Sequence, residues 1–268
     1  MRWAHWFWVL LWFSWSASQV LPFCMRPRTT QDIPSLFLAT DQAVATFRVL
    51  FFAALIAGTA AGAVASVIQA GKMWPLIAAA EVLEAAAPPH HDHGAPAAVW
   101  KPEGPLRPAL TVLFNIVAGL GFGLILNAVT HLWTLQSGRP FTASDGILWG
   151  AAGFAAFSLA PAFGLPPELP GMAGGELIER QIWWIATGCC TAGGIALLLC
   201  LTGAGRSVGI VLIVLPHVIG APHADGQGAI PGEMAATFAA ASLGASAVFW
   251  MVLGWVSGWA QQRLIRIG

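Results

Sequence analysis

Arg206-Ser-Val-Gly-Ile-Val-Leu-Ile-Val-Leu-Pro-His-Val-Ile-Gly-Ala-Pro-His223 is the stretch on which the reading of this chain turns. From Val208 to Leu215 it carries only apolar side chains and one glycine, and its first ionisable group after Arg206 is His217. The apolar run 206–221 is short of the ~20 residues a helix needs to cross ~30 Å of hydrocarbon. It also contains Pro216, so it reads as a thin span or as a re-entrant segment beside a polar cavity. Five further apolar runs, 47–70, 109–132, 146–165, 181–202 and 235–260, lie near the spanning length. Composition agrees: 57% of the residues are hydrophobic and 9% charged, where a soluble domain carries about 25% charged residues. The runs are too long for barrel strands and do not alternate. The expected fold is an all-α integral membrane protein with about six transmembrane helices, one of them short or broken near Pro216.

The chain divides into an N-terminal extension (1–45), a helical membrane domain (46–262) and a short basic tail (263–268). Trp3 to Trp15 holds five tryptophans behind Arg2 and before Ser16-Ala17-Ser18. That reads as a signal-like core, an interfacial helix, a further span or an over-extended start with Met25 as initiator. Gly58-x-x-x-Gly62, Gly119-x-x-x-Gly123 and Gly254-x-x-x-Gly258 are expected at helix contacts, where small residues let backbones approach. Cys189, Cys190 and Cys200 read as small packing residues. Formal net charge is zero, so nothing points to nucleic acid. Lysines and arginines favour the side that holds both termini, which makes it cytoplasmic. The opposite, outer side carries nine carboxylates against four cationic side chains and would concentrate cations.

Four patches carry metal-compatible chemistry, and all fall on that outer side. His90-His91-Asp92-His93 lies in a Pro- and Ala-rich loop. Neutral imidazole suits divalent first-row ions, and a flexible tract suits capture and release. Glu81 and Glu84, at i and i+3, share one helix face and form either a cation-collecting pair or a solvated helix end. Gly164-Leu-Pro-Pro-Glu168-Leu-Pro-Gly171 forbids helix and holds Glu168 in a stiff turn. Glu176 and Glu179 have a capping explanation at the next helix start; Glu168 has none. His217 and His223 flank Gly220-Ala221-Pro222, and ionisable groups in lipid are functional candidates. They could share an ion only if the helix unwinds near Gly220. The carboxylates and histidines would then feed a cavity between the third and sixth spans, as in transporters with broken helices.

Ala152-Gly-Phe-Ala-Ala-Phe157, Ala160-Pro-Ala-Phe-Gly-Leu-Pro-Pro-Glu-Leu-Pro-Gly171, Arg180-Gln-Ile-Trp-Trp184 and Leu215-Pro-His-Val-Ile-Gly-Ala-Pro-His223, with the histidine tract before them, resemble the CbtA family. The resemblance covers about residues 46–262. It implies a subunit of a bacterial cobalt uptake system in the cytoplasmic membrane, with cobalt as transported ion and no tightly bound cofactor. It also implies a small single-span partner with its own histidine motif, CbtB-like. No catalytic residue carries over. The metal candidates are the residues read directly: His217, His223, His90, His91, His93, Glu168, Asp92, Glu81 and Glu84. No Walker A sequence is present. Two other classes stand beside transport: a membrane metalloenzyme with Glu168 as general base, and a sensing or assembly subunit without a conduction path.

Overall fold

The computed structural model describes residues 36–86, 104–223 and 230–267, and every regular element among them is helical. In chain order these are α1 (Leu36–Lys72), α2 (Trp74–Ala86), α3 (Leu106–Ser137), α4 (Ala143–Phe154), a π-helical segment (Ala155–Leu159), α5 (Ala160–Ala162), α6 (Leu177–Cys200), α7 (Ala204–Ile219) and α8 (Gly232–Ile267). Four helices, Gln42–Lys72 within α1, α3, α6 and Gly232–Arg266 within α8, are long and apolar enough to cross a membrane; α7 is a shorter apolar helix. The backbone stays helical through the junctions of α4, the π segment and α5. The run expected at 146–165 is therefore one continuous rod over 143–162.

Burial is arranged as lipid requires. Val67, Phe114, Leu148 and Phe163 are at least 70% exposed, while Ala53, Ala54, Ala57, Ala61, Asn127, Thr130 and Ser257 are buried. Between helices in a bilayer there is no hydrophobic driving force, because acyl chains are as apolar as leucine. Close backbone packing and polar contacts must hold the bundle instead.

Those contacts are α1 on α3 and α8, α8 on α4, and α6 on α7 and the π segment. A Cβ at Gly58 would strike the backbone of Gly119 and Leu120, and one at Gly62 the backbone of Asn115. A Cβ at Gly146 would overlap the carbonyl oxygen of Gly254, and one at Gly258 that of Thr142. The three small-residue pairs expected from sequence thus sit at the α1/α3 and α4/α8 seams, where Gly146 and Gly150 face Gly254.

The π segment has a covalent cause. Pro161 has no N–H to offer the carbonyl of Phe157 four residues back, and its ring crowds that carbonyl. The helix widens, and the N–H of Ala160 reaches the carbonyl of Ala155, five residues back. At the start of the same rod, Thr142 and Asp145 form a capping box.

One end of the bundle gathers the loops. There Met73, Ala80, Leu169, Phe238 and Ala245 form a buried cluster with Met172, Ile230 and Met234 packed on it. This ties α1, α2, the 163–176 loop and the start of α8 together. Deeper in the bundle, Ala57, Ala61, Leu126, Trp250, Leu253 and Val256 form a second cluster.

Candidate functional site

Two adjoining cavities open from the loop end. The outer one, about 570 Å³, is lined by Pro161, Leu165, Pro167, Glu168, Arg180 and Gln181 among others. The inner one, about 320 Å³, reaches Gln69, Met73, Asn115 and Ser242. Phe157, Ser158, Trp184 and Ser246 line both. Two of these four, Phe157 and Ser158, belong to the π segment, so the widened turn forms the boundary between the two spaces.

Glu168 is positioned by what flanks it. The rod ends in bonds from Gly164 and Leu165 to the carbonyl of Pro161, and the prolines that follow prevent further helix. Leu169 is 3% exposed and anchors the turn in the α1/α2/α8 cluster. Arg180 stands in the first turn of α6, which Glu176 caps by accepting a hydrogen bond from the N–H of Glu179. The guanidinium Nη2 of Arg180 donates to Oε2 of Glu168, and both side chains are about three-quarters buried. Sequence reasoning left Glu168 without a structural partner; the structure supplies one. Nε of Arg180 is buried with no hydrogen-bond partner among the described residues.

The inner cavity holds neutral polar groups. Asn115 donates from Nδ2 to Oε1 of Gln69 at 2.8 Å and to Oγ of Ser66 at 3.0 Å. Ser66 in turn donates to the carbonyl of Gly62. Ser158 accepts from Nε1 of Trp250 at 3.2 Å. Among the described residues the Ser242 hydroxyl finds only the thioether of Met73, at 3.6 Å. Phe157 stacks on Trp250 with ring centroids 5.9 Å apart. Among the described residues, none that lines this cavity is charged.

The histidine pair lies elsewhere. α7 stops at Ile219, and Gly220 has φ 89°, a left-handed conformation that glycine adopts without strain. The break expected near Gly220 is therefore present. His217, in the last turn of α7, packs edge-on against Trp183 and Phe163, at 5.9 and 6.2 Å between centroids. Trp183 is buried, and its Nε1 donates to the carbonyl of Pro216. His223 is exposed, and its Nδ1 lies 2.6 Å from the carbonyl of Ala221. The Pro222–His223 backbone lies against Gly175, next to the Gly174 that borders Arg180. The loop end thus brings His223 and the Glu168–Arg180 pair to two sides of one turn. Neither histidine lines either cavity, and α1, α3, the π segment, α5 with the loop after it, α6 and α8 enclose the space, with no contribution from α7.

Glu81 receives both terminal nitrogens of Arg107 on the exposed face of α2. Glu84, on the same helix, packs its stem near Gly171. His90, His91, Asp92 and His93 lie outside the described residues. Among the described residues no three His, Cys, Asp or Glu side chains stand close enough together to hold one metal ion.

The cavity-lining amides and hydroxyls, Gln69, Asn115, Ser158, Ser242 and Ser246, were missed by a reading that looked for ionisable groups. Their signal was available: an amide within an apolar run is costly unless it has a partner or a cavity. Neither the curated proteins nor the solved structures contain a match to this chain. A family model described as "Probable cobalt transporter subunit (CbtA)" matches residues 47–262, and the chain belongs to that family.

Proposed function

We propose that the chain is the membrane subunit of a divalent-metal uptake system, with cobalt as its cargo, and that the two adjoining cavities are part of the ion's route. The observation that carries this reading is the adjacency of the two spaces, which share Phe157, Ser158, Trp184 and Ser246 as lining and together run from a mouth bearing Glu168 to polar groups within the bundle. On this reading the loop end faces outward from the cytoplasmic membrane. His90, His91, Asp92 and His93 capture the ion, and Glu81, Glu84 and His223 enrich it at the surface. Glu168 then admits it by exchanging Arg180 for the cation. His217 and His223 act in sequence rather than on one shared ion, since each has its own contacts. A small single-span subunit with a histidine motif completes the system. Inward movement of a divalent ion is favoured by about 4.6 kcal/mol per 100 mV of membrane potential, twice the value for one charge.

Labelled Co²⁺ uptake in cells expressing the chain, with and without the small partner, tests this. Chain-dependent uptake that falls when His90, His91 and His93 are replaced by alanine is the expected result. Normal uptake in the His217→Ala, His223→Ala double variant removes that pair from the route. Tightly held stoichiometric metal without uptake would instead mark a metalloenzyme. Absence of both, even with the partner, would mark a sensing or assembly role.

A further inference from the structure

The inner cavity poses a chemical problem for any divalent cation. Among the described residues it has no charged lining residue, and no cluster of three anionic or imidazole ligands exists there to replace a water shell. A bare divalent ion there would face a desolvation penalty with nothing to offset it, because removing charge from water costs several kcal/mol per ion even after relaxation. Met73 offers one buried thioether, and soft-metal sites draw on several sulfur ligands.

What the cavity does offer matches the outside of a hydrated ion. The water shell of a cation presents only hydrogen-bond donors. The carbonyl oxygens of Gln69 and Asn115 each accept one N–H from the other's amide and keep a second lone pair, and a hydroxyl oxygen has two. Among the described residues the Ser246 hydroxyl has no hydrogen-bond partner, and the Ser242 hydroxyl has only sulfur as its acceptor. Trp184 and Phe157 add ring faces, which attract positive charge. The size also fits: six waters at ~30 Å³ each occupy roughly 180 Å³, against a cavity of about 320 Å³.

We propose that the inner cavity is an outer-sphere site, holding a divalent cation with its water shell intact through Gln69, Asn115, Ser242 and Ser246. The proposal rests on the transport reading above. It has a consequence for selectivity: a site that never touches the metal cannot rank ions by ligand affinity, so discrimination among first-row ions belongs to groups outside this cavity.

Hexaamminecobalt(III) is the probe, because its inert ammine shell copies the size and donor surface of a hydrated ion and cannot be replaced by protein ligands. The full chain in detergent is equilibrated with this complex or with Co²⁺, and bound cobalt is counted. Uptake of Co²⁺ is measured in parallel. Wild type is expected to bind both species within about tenfold of each other, a difference under about 1.4 kcal/mol. Its bound Co²⁺ should keep the weak visible absorption of an octahedral aqua ion. Gln69→Ala with Asn115→Ala, and separately Ser242→Ala with Ser246→Ala, should weaken binding of both probes, while Val218→Ala, at an exposed position outside both cavities, should leave them unchanged. The serine pair keeps the test open where loss of Asn115 disturbs the α1/α3 seam. Co²⁺ binding or uptake without binding of the inert complex overturns the outer-sphere site and leaves transport standing. Equal binding of the inert complex to wild type and both variants places it on the acidic surface and also overturns the site. Absence of Co²⁺ binding and uptake altogether overturns the transport reading and this proposal with it.

Discussion

Arg180 contributes one bond to Glu168 and leaves its Nε buried without a partner. An unpaired buried donor on a cation is costly, since the group loses its water and receives nothing in return. The pair is therefore poised: a cation that reaches Glu168 need displace only one guanidinium contact, and the freed Arg180 repels the next ion. The two single variants should behave oppositely. Glu168→Gln leaves Arg180 as a lone positive charge at the mouth, and initial Co²⁺ uptake should fall by about tenfold, the equivalent of ~1.4 kcal/mol for a pair that is partly exposed. Arg180→Ala leaves a lone carboxylate, so half-saturation should shift to lower Co²⁺ while the maximal rate falls because release is slower. Uptake kinetics of the two variants over a range of Co²⁺ concentrations separate these outcomes. Equal losses in both, with unchanged half-saturation, would reduce the pair to a structural clasp. The same distinction explains what sequence could say of Glu168. Its stiff turn was visible in the prolines, but its partner stands twelve residues on, across the turn, and only the fold brings the two together.

Helix seams in this bundle depend on backbone contact rather than side-chain bulk. Gly146 and Gly254 touch so closely that one methyl group forces α4 and α8 apart, whereas Gly244 on the same α8 has open space around it. Gly146→Ala should therefore destabilise the protein in detergent by about 1–3 kcal/mol, the range for forced overpacking. Gly244→Ala should be neutral or stabilising by up to ~1 kcal/mol, the helix-propensity gain. Thermal unfolding of the two variants checks this. At the scale of elements the amino-acid sequence was informative. The apolar runs, the three small-residue pairs and the break at Gly220 follow from local patterns that need no knowledge of neighbours. The π turn was half legible: Pro161 inside an apolar run announces a disturbed helix, but whether the rod kinks, breaks or widens depends on packing against Trp250 and α6. Least legible was the cavity. Gln69, Asn115, Ser158 and Ser246 come from four different helices, and no spacing in one chain shows that four distant positions converge. The histidine pair is the converse case. His217 and His223 are near in sequence, yet Trp183 and Phe163 hold one ring while a local carbonyl engages the other.

The molecule as a whole is open at one end and closed at the other. The cavities stop at Phe122 on α3 and Trp250 on α8. One turn further on, Leu126, Leu253 and Val256 fill the centre. Beyond them Gln261 donates to Oδ1 of Asn127 at 2.6 Å, and Asn127 donates to the carbonyl of Gly123 and to Ser257. Asn127, Thr130, Ser257 and Gln261 are each at most 4% exposed. A satisfied polar layer under an apolar plug is a stable seal, because breaking it would leave several buried amide groups without partners. An ion route through the bundle therefore requires a second state in which this layer opens. Cysteine labelling tests the asymmetry. In a chain whose native cysteines are replaced by alanine, Ser246→Cys should react with a charged, membrane-impermeant thiol reagent added from the outside of intact cells. Ser257→Cys should resist the reagent from both sides while the seal holds. Replacing Gln261 by alanine strands Asn127 and should expose Ser257→Cys to reagent from the cytoplasmic side, in inverted vesicles, without changing the reactivity of Ser246→Cys. Labelling of Ser246→Cys only in inverted vesicles would turn the protein over in the membrane and place the Glu168 mouth in the cytoplasm, which an uptake subunit that captures its ion outside cannot accommodate.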